Sequence, residues 1–246
     1  MNTNAKRTAV VTGGSRGIGR AIARRLAADG LAVVVHYTGN DAAAAQTVAA
    51  IEAAGGQALA VRGDVGDAGD VARLFDAAQE AFGGVHVVVN SAGILPMAQI
   101  APAGLEDFDR TIATNLRGAF LVLGEAAARL GEGGRIVALS TSASALALPG
   151  YGPYIASKAG VEGLVRVLAN ELRGRRITVN AVAPGPVGTE LFYQGKSAEQ
   201  IARMAALPPL ERLGTPEDIA GVVSFLAGPE GEWVNGQVLR ANGGFA

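Results

Sequence analysis

The sequence predicts an α/β fold in which one doubly wound parallel sheet carries helices on both faces. Three observations lead there. Apolar runs of strand length alternate with helical patterns almost to the end of the chain. Runs such as 85–89 do not alternate polar with apolar residues, as expected of strands buried on both sides. Polar or glycine-bearing segments recur at the ends of those runs, where ligands of such sheets bind. With 246 residues, 49% hydrophobic and 17% charged, the chain has enough apolar surface for a sizeable core. Its 35 glycines are spread over element junctions rather than gathered in a linker, so one domain spanning 1–246 is expected.

In chain order, strands are expected at 8–11, 32–36, 58–62, 85–90, 135–139, 178–182 and 237–240. Helical periodicity fits 17–28, 42–54, 68–82, 106–130, 154–173, 198–205 and 216–226. The least regular stretch, 191–209, carries Phe192, Tyr193, Met204 and Leu207 among charges and glycine, and reads as a lid over an apolar substrate.

The first strand runs into Thr12 and then Gly13, Gly17 and Gly19, where a helix begins. Strand, glycine turn and helix bring bare backbone N–H groups and the positive end of a helix dipole against a phosphate. A Cβ at those positions would block close approach of the ligand and of helix to strand. The second strand ends in His36-Tyr37-Thr38-Gly39-Asn40, without the acid that holds a ribose 2′-hydroxyl in NAD sites. Arg16, inside the glycine turn, offers a planar guanidinium to a 2′-phosphate. Together these favour NADP over NAD.

Tyr154 and Lys158 stand four residues apart, on one face of the expected helix. A phenol titrates near 10 and is a poor acid–base group at neutral pH, but a neighbouring cation favours its ionised form. Lysine is scarce, with only Lys6, Lys158 and Lys196, so a compact cation at 158 stands out. Asn115 is an unfavourable residue for a helix interior, here beside Leu116.

The spacing Gly13-x3-Gly17-x-Gly19, followed by Asn115, the hydroxyls at 140–142 and Tyr154-x3-Lys158, resembles the short-chain dehydrogenase/reductase family from residue 8 to residue 244. The likeness is greatest to 3-oxoacyl-carrier-protein reductases and ketone reductases. It implies a Rossmann-like dinucleotide site formed by Gly13, Ser15, Arg16, Gly17, Ile18, Gly19, Tyr37 and Thr38. Asp64 and Val65 would border the adenine, and Asn90, Ala92 and Gly93 the cofactor after the fourth strand. Pro184, Gly185, Val187 and Thr189 would hold the nicotinamide carboxamide. Tyr154 is then the general acid/base, with Lys158 beside the nicotinamide ribose and Asn115 in a proton relay. The family's serine usually precedes the tyrosine by thirteen residues, where this chain has Thr141; Ser142 is preferred, with Thr141 as the alternative hydroxyl.

The expected activity is NADPH-dependent reduction of a ketone or 3-oxoacyl carbonyl. The alternatives are an NAD-preferring alcohol dehydrogenase and a cofactor-binding regulatory protein that has lost catalysis. Competing readings of the residues are a solvated charge at Arg16, turn capping by Thr141 or Ser142 and a buried hydrogen bond at Asn115.

A net charge of −1 without a basic block gives no footprint for nucleic acid, and no run reaches the about 20 apolar residues of a membrane span. There is no cysteine, and His36 and His86 lie in strands without partners in ligand register, so no metal site is expected. The polar N-terminus suggests a cytoplasmic protein. The ending from Trp233 to Gly244 resembles a family segment common at subunit contacts, which implies a homotetramer with 106–130 and 154–173 at a second contact.

Overall fold

The computed structural model describes residues 6–146 and 148–246. Seven strands form one sheet: β1 (Thr8–Thr12), β2 (Ala32–Tyr37), β3 (Gln57–Arg62), β4 (Val87–Asn90), β5 (Arg135–Leu139), β6 (Thr178–Pro184) and β7 (Val238–Ala241). All neighbours are parallel, in the order β3-β2-β1-β4-β5-β6-β7. The chain builds outward from β1 to β3, then restarts on the other side at β4. The reversal leaves a crevice at the carboxyl ends of β1 and β4, where doubly wound sheets bind ligands.

The helices are α1 (Gly17–Ala28), α2 (Asp41–Ala53), α3 (Ala68–Phe82), α4 (Leu105–Thr111), α5 (Gly118–Arg129), α6 (Gly152–Glu171), α7 (Glu190–Tyr193), α8 (Ala198–Ala206) and α9 (Pro216–Ala227). Alternate residues of each strand serve opposite layers. Val10, Val34, Val88 and Ile136 pack with Leu74 and Phe75 of α3, Val122 of α5 and Val161 of α6. Val11, Val33, Val89 and Val137 pack on the other face with Ile22 and Leu26 of α1 and Val223 and Leu226 of α9. The core thus lies in two sheets of contact, one per face.

Three of the crossover helices, α2, α3 and α9, begin on a side-chain cap that satisfies an otherwise unpaired N–H. Asn40 caps α2 through Ala43, Asp67 caps α3 through Asp70, and Thr215 with Asp218 forms a reciprocal box at α9 behind Pro216. At α1 neither a side-chain cap nor a first-turn acid is present.

The structure departs from the expected single helix over 106–130. α4 and α5 are separated by a π-helical turn, Ile112–Arg117, that contains Asn115. A widened turn of this kind accommodates a side chain bonding outside the helix, which propensity within the segment does not reveal. The short α7 was also not expected; Thr189 starts it by accepting from the Phe192 N–H at 3.1 Å.

Candidate active site

Where β1 ends, Gly13 turns with φ +64° and Gly17 with φ +51°. A Cβ on Gly13 would lie 3.0 Å from Ala92 Cα, and one on Gly19 would lie 2.1 Å from the Gly13 carbonyl oxygen. Glycine is therefore imposed by backbone packing as well as by the positive φ. The turn is braced from behind. The Gly13 N–H donates to His36 Nδ1 at 3.3 Å, and His36 Nε2 lies 3.0 Å from the Gly63 carbonyl. These two bonds require the neutral ring with its proton on Nε2. Burial, the largest influence, lowers the His36 pKa, against the Gly63 carbonyl and Asp64.

The β4 end is tied to the same turn. Thr12 Oγ1 donates to Asn90 Oδ1 at 3.0 Å and accepts from the Ser91 and Ala92 N–H groups, each at 3.0 Å. Asn90, expected to border the cofactor, is buried with its side chain in this brace, and the cleft lining begins at Ser91. A motif that both packs a sheet and borders a ligand gives no indication in sequence of which side chain does which.

The crevice is a cleft of about 550 Å³. Every other expected cofactor residue lines it: Gly13, Ser15, Arg16, Gly17, Ile18, Gly19, Tyr37, Thr38, Asp64, Val65, Ala92, Gly93, Tyr154, Lys158, Pro184, Gly185, Val187 and Thr189. Its geometry fits a dinucleotide. The uncapped N-terminus of α1 presents free N–H groups to a phosphate, and the glycine cradle leaves no Cβ in the way. Near β2, Arg16 has no ion-pair partner among the described residues. Asp41, the first acid after β2, lies beside the Tyr37 phenol, whose pKa is raised first by desolvation and then by that carboxylate. Gly185 packs so tightly that a Cβ would sit 2.9 Å from Asn242 Cα.

On the opposite wall, α6 carries Tyr154 and Lys158 into the cleft. Lys158 is buried; its ammonium donates to the Leu139 carbonyl at 2.8 Å and stands 5.8 Å from the centre of the Tyr154 ring. Desolvation brings the Lys158 pKa down to about 8. Desolvation also pushes the Tyr154 phenol up to about 12, with a hydrogen bond from Thr141 working in the other direction.

That influence bears on the choice between hydroxyls. Thr141 lines the cleft, and its Oγ1 also accepts from the Ala143 N–H at 3.1 Å. Ser142 turns away: it donates to the Ala183 carbonyl at 2.9 Å and accepts from Asn242 Nδ2 at 3.0 Å. Of the two hydroxyls, Thr141 lines the cleft and Ser142 does not, which favours the alternative, Thr141, over the expected Ser142. The strand end does not bulge; Thr141 keeps extended backbone and opens a short 3-10 turn over Ser142–Ala145.

Asn115 is fully buried. Its side chain clasps Ile94, accepting from the N–H at 2.9 Å and donating to the carbonyl at 2.9 Å, and donates to Ser157 Oγ at 3.2 Å. A Cβ on Gly93 would lie 3.3 Å from Asn115 Oδ1 and 3.5 Å from Lys158 Nζ, so Asn115 adjoins the catalytic side. The remaining wall is largely apolar, with Ile94, Leu95, Leu148, Tyr151 and Phe245 beside Leu191, Phe192 and Met204 of 191–209, and carries Glu190 and Lys196 at the same segment. Tyr151 precedes Tyr154 by one turn and meets it edge-on at 6.2 Å, a spacing visible in the sequence.

A Rossmann-like sheet whose crevice unites a glycine cradle with a Tyr-x3-Lys pair defines a dinucleotide-dependent oxidoreductase. The family profile described as "Enoyl-(Acyl carrier protein) reductase" matches residues 13–246. A "Short-chain type dehydrogenase/reductase" of Picea abies is 48% identical, covering 97% of this chain and 92% of that protein. An Arabidopsis thaliana "NADPH-dependent aldehyde reductase-like protein, chloroplastic" is also 48% identical, covering 98% and 94%. A short-chain dehydrogenase from Burkholderia cenocepacia, solved "in complex with NADP", superposes with a TM-score of 0.91 at 40% identity, covering 98% of both chains. The chain belongs to the short-chain dehydrogenase/reductase family and is an NAD(P)-dependent oxidoreductase. Among the described residues no helix is long and apolar enough to cross a membrane.

Proposed function

We propose that this protein reduces a carbonyl, a ketone or 3-oxoacyl group or an aldehyde, to the alcohol with NADPH, and runs in reverse on the alcohol. The observation that carries the reading is the shared wall of Thr141, Tyr154 and Lys158 facing the glycine cradle across one cleft. The aldehyde reductase name of the Arabidopsis relative and the NADP held by the Burkholderia neighbour support the substrate type and the cofactor. Gly13, Gly17, Gly19 and the α1 N-terminus would hold the pyrophosphate, Arg16 and Thr38 the 2′-phosphate, Asp64 and Val65 the adenine, and Pro184, Gly185, Val187 and Thr189 the carboxamide.

When bound, the dihydronicotinamide supplies the hydride. The hydroxyls of Thr141 and Tyr154 polarise the carbonyl oxygen. Tyr154 gives its proton to the oxygen as negative charge develops; even a phenol near 12 is a stronger acid than an aliphatic alcohol. Lys158 stabilises the resulting tyrosinate through space and orients the ribose. Asn115 secures the wall through Ile94 and Ser157 and supports proton resupply. Residues 191–209 close over the substrate, with Phe192 and Met204 toward the cleft.

A homotetramer belongs to the same proposal, supported by apolar side chains left open on the expected faces: Phe120 62%, Val167 56% and Trp233 98% exposed. So does a cytoplasmic setting, which fractionation of cells carrying the protein would check.

The test follows NADPH oxidation by absorbance over aldehydes, ketones and a 3-oxoacyl thioester. Wild type is expected to turn over at least one class. Tyr154→Phe should bind NADPH unchanged and lose about 10²–10⁴-fold in kcat. Arg16→Ala should lose about tenfold in NADPH affinity and little in NADH affinity. Equal losses for both cofactors would remove the 2′-phosphate assignment. A wild type that binds NADPH and reduces no carbonyl would sink the reductase reading.

A further inference from the structure

The segment that follows β7 folds back toward the cleft through a turn of its own. Asn242 organises it. Its Nδ2 donates to the Ala246 carbonyl at 2.9 Å and to Ser142 Oγ at 3.0 Å. Its Oδ1 accepts from the Gly244 N–H at 3.0 Å, and its carbonyl accepts from the Phe245 N–H at 3.1 Å. Gly243 and Gly244 take φ +65° and +87°, and Cβ atoms there would lie 3.2 Å from Pro208 and 3.0 Å from Pro209. The turn is thus fixed by glycine conformations, by contact with the end of the 191–209 segment and by three bonds from one amide. Its result is that Phe245 is brought to the lining of the cleft that also holds Tyr154 and Thr141.

We propose that Phe245 is a specificity-determining residue: its ring limits the size of the apolar group flanking the substrate carbonyl, and Asn242 is the positioning residue that places it. This deepens the carbonyl-reductase reading and rests on it. The chemistry follows from the wall. Leu148, Tyr151, Phe192, Met204 and Phe245 offer apolar or aromatic surface, so the favoured substrate carries an alkyl or aryl substituent. Asn242 also bonds Ser142, the neighbour of Thr141, so the amide that shapes the wall holds the loop bearing the polarising hydroxyl. A residue at this point in the chain acts on the site only because β7 ends beside β6, where Gly185 admits the Asn242 backbone.

The test compares acetone with benzylacetone, as substrates and as ligands of the NADP-loaded protein by ligand-observed NMR. Phe245→Ala should raise the benzylacetone-to-acetone ratio of kcat/KM about tenfold, and Phe245→Trp should lower it. NADPH affinity should stay within about twofold of wild type in both. Asn242→Ala should move the ratio in the same direction as Phe245→Ala, through KM more than kcat. Ratios unmoved in both Phe245 variants, with fold and NADPH binding intact, would overturn the proposal; so would a uniform fall in kcat for both ketones. The NMR arm keeps the two readings apart. A shift in relative binding without turnover in any form would uphold the wall and refute the reductase reading. Turnover with an unchanged preference would do the reverse.

Discussion

Thr141 and Ser142 are neighbouring hydroxyls that the sequence leaves almost interchangeable, and their surroundings separate them. Ser142 spends its hydroxyl on Ala183 and Asn242, whereas Thr141 lines the cleft and lowers the Tyr154 pKa. Thr141→Val, nearly isosteric, should lower kcat by about 10–100-fold with Tm little changed. Ser142→Ala should cost about 1 kcal/mol of stability, through the orphaned Asn242 amide, with a smaller effect on kcat. Thermal melts beside steady-state kinetics check both. Lys158 sets the pH dependence. Its ammonium is lowered to about 8, so it is charged below that value and neutral above it. Tyr154, pushed up to about 12, stays protonated throughout. Carbonyl reduction measured as kcat/KM should therefore be level below pH 8 and fall as pH rises through it. Lys158→Met should abolish that limb along with most of the activity.

At the scale of elements, the glycine turn and α1 act as one unit. A Cβ on Gly19 would press on the carbonyl of Gly13, which is backbone and cannot swing aside as a side chain would. Gly19→Ala should destabilise the fold by about 3 kcal/mol and abolish NADPH binding, as read by chemical denaturation and cofactor fluorescence. The π-helical turn at Ile112–Arg117 belongs to this scale too. Asn115 is unfavourable locally and offsets this by clasping Ile94 through two hydrogen bonds. Its residue type marked it as special, but the helical break did not follow, because the bonds responsible join segments 21 residues apart.

At the scale of the molecule, Phe120, Val167 and Trp233 leave apolar surface open on α5, α6 and the segment before β7. Light scattering should return about four times the 24.8 kDa chain mass. Trp233→Arg together with Phe120→Asp should yield smaller species while each retains NADPH binding.

Strand and helix order, the glycine turn and the Tyr154–Lys158 pair were legible because each is written in local periodicity or fixed spacing, which a sheet or helix converts directly into geometry. That accounts for the strands falling within a residue or two of expectation, and for nearly all expected cofactor residues lining one cleft. Other features depend on partners distant in sequence. The Asn90 side chain is held in a brace because Thr12, 78 residues away, donates its hydroxyl to it. Ser142 does not line the cleft, where Thr141 does, and Asn242, 100 residues on, donates to the serine hydroxyl. Phe245 gained a wall of the site because β7 ends next to β6. By itself the sequence determined the class of fold, the glycine turn at the crevice and the placing of Tyr154 and Lys158 on one helix face, all set by short-range pattern. Only the tertiary structure decided which hydroxyl reaches the cleft and which apolar side chains line it, because hydrogen bonds and packing between remote segments choose among side chains of equal local merit.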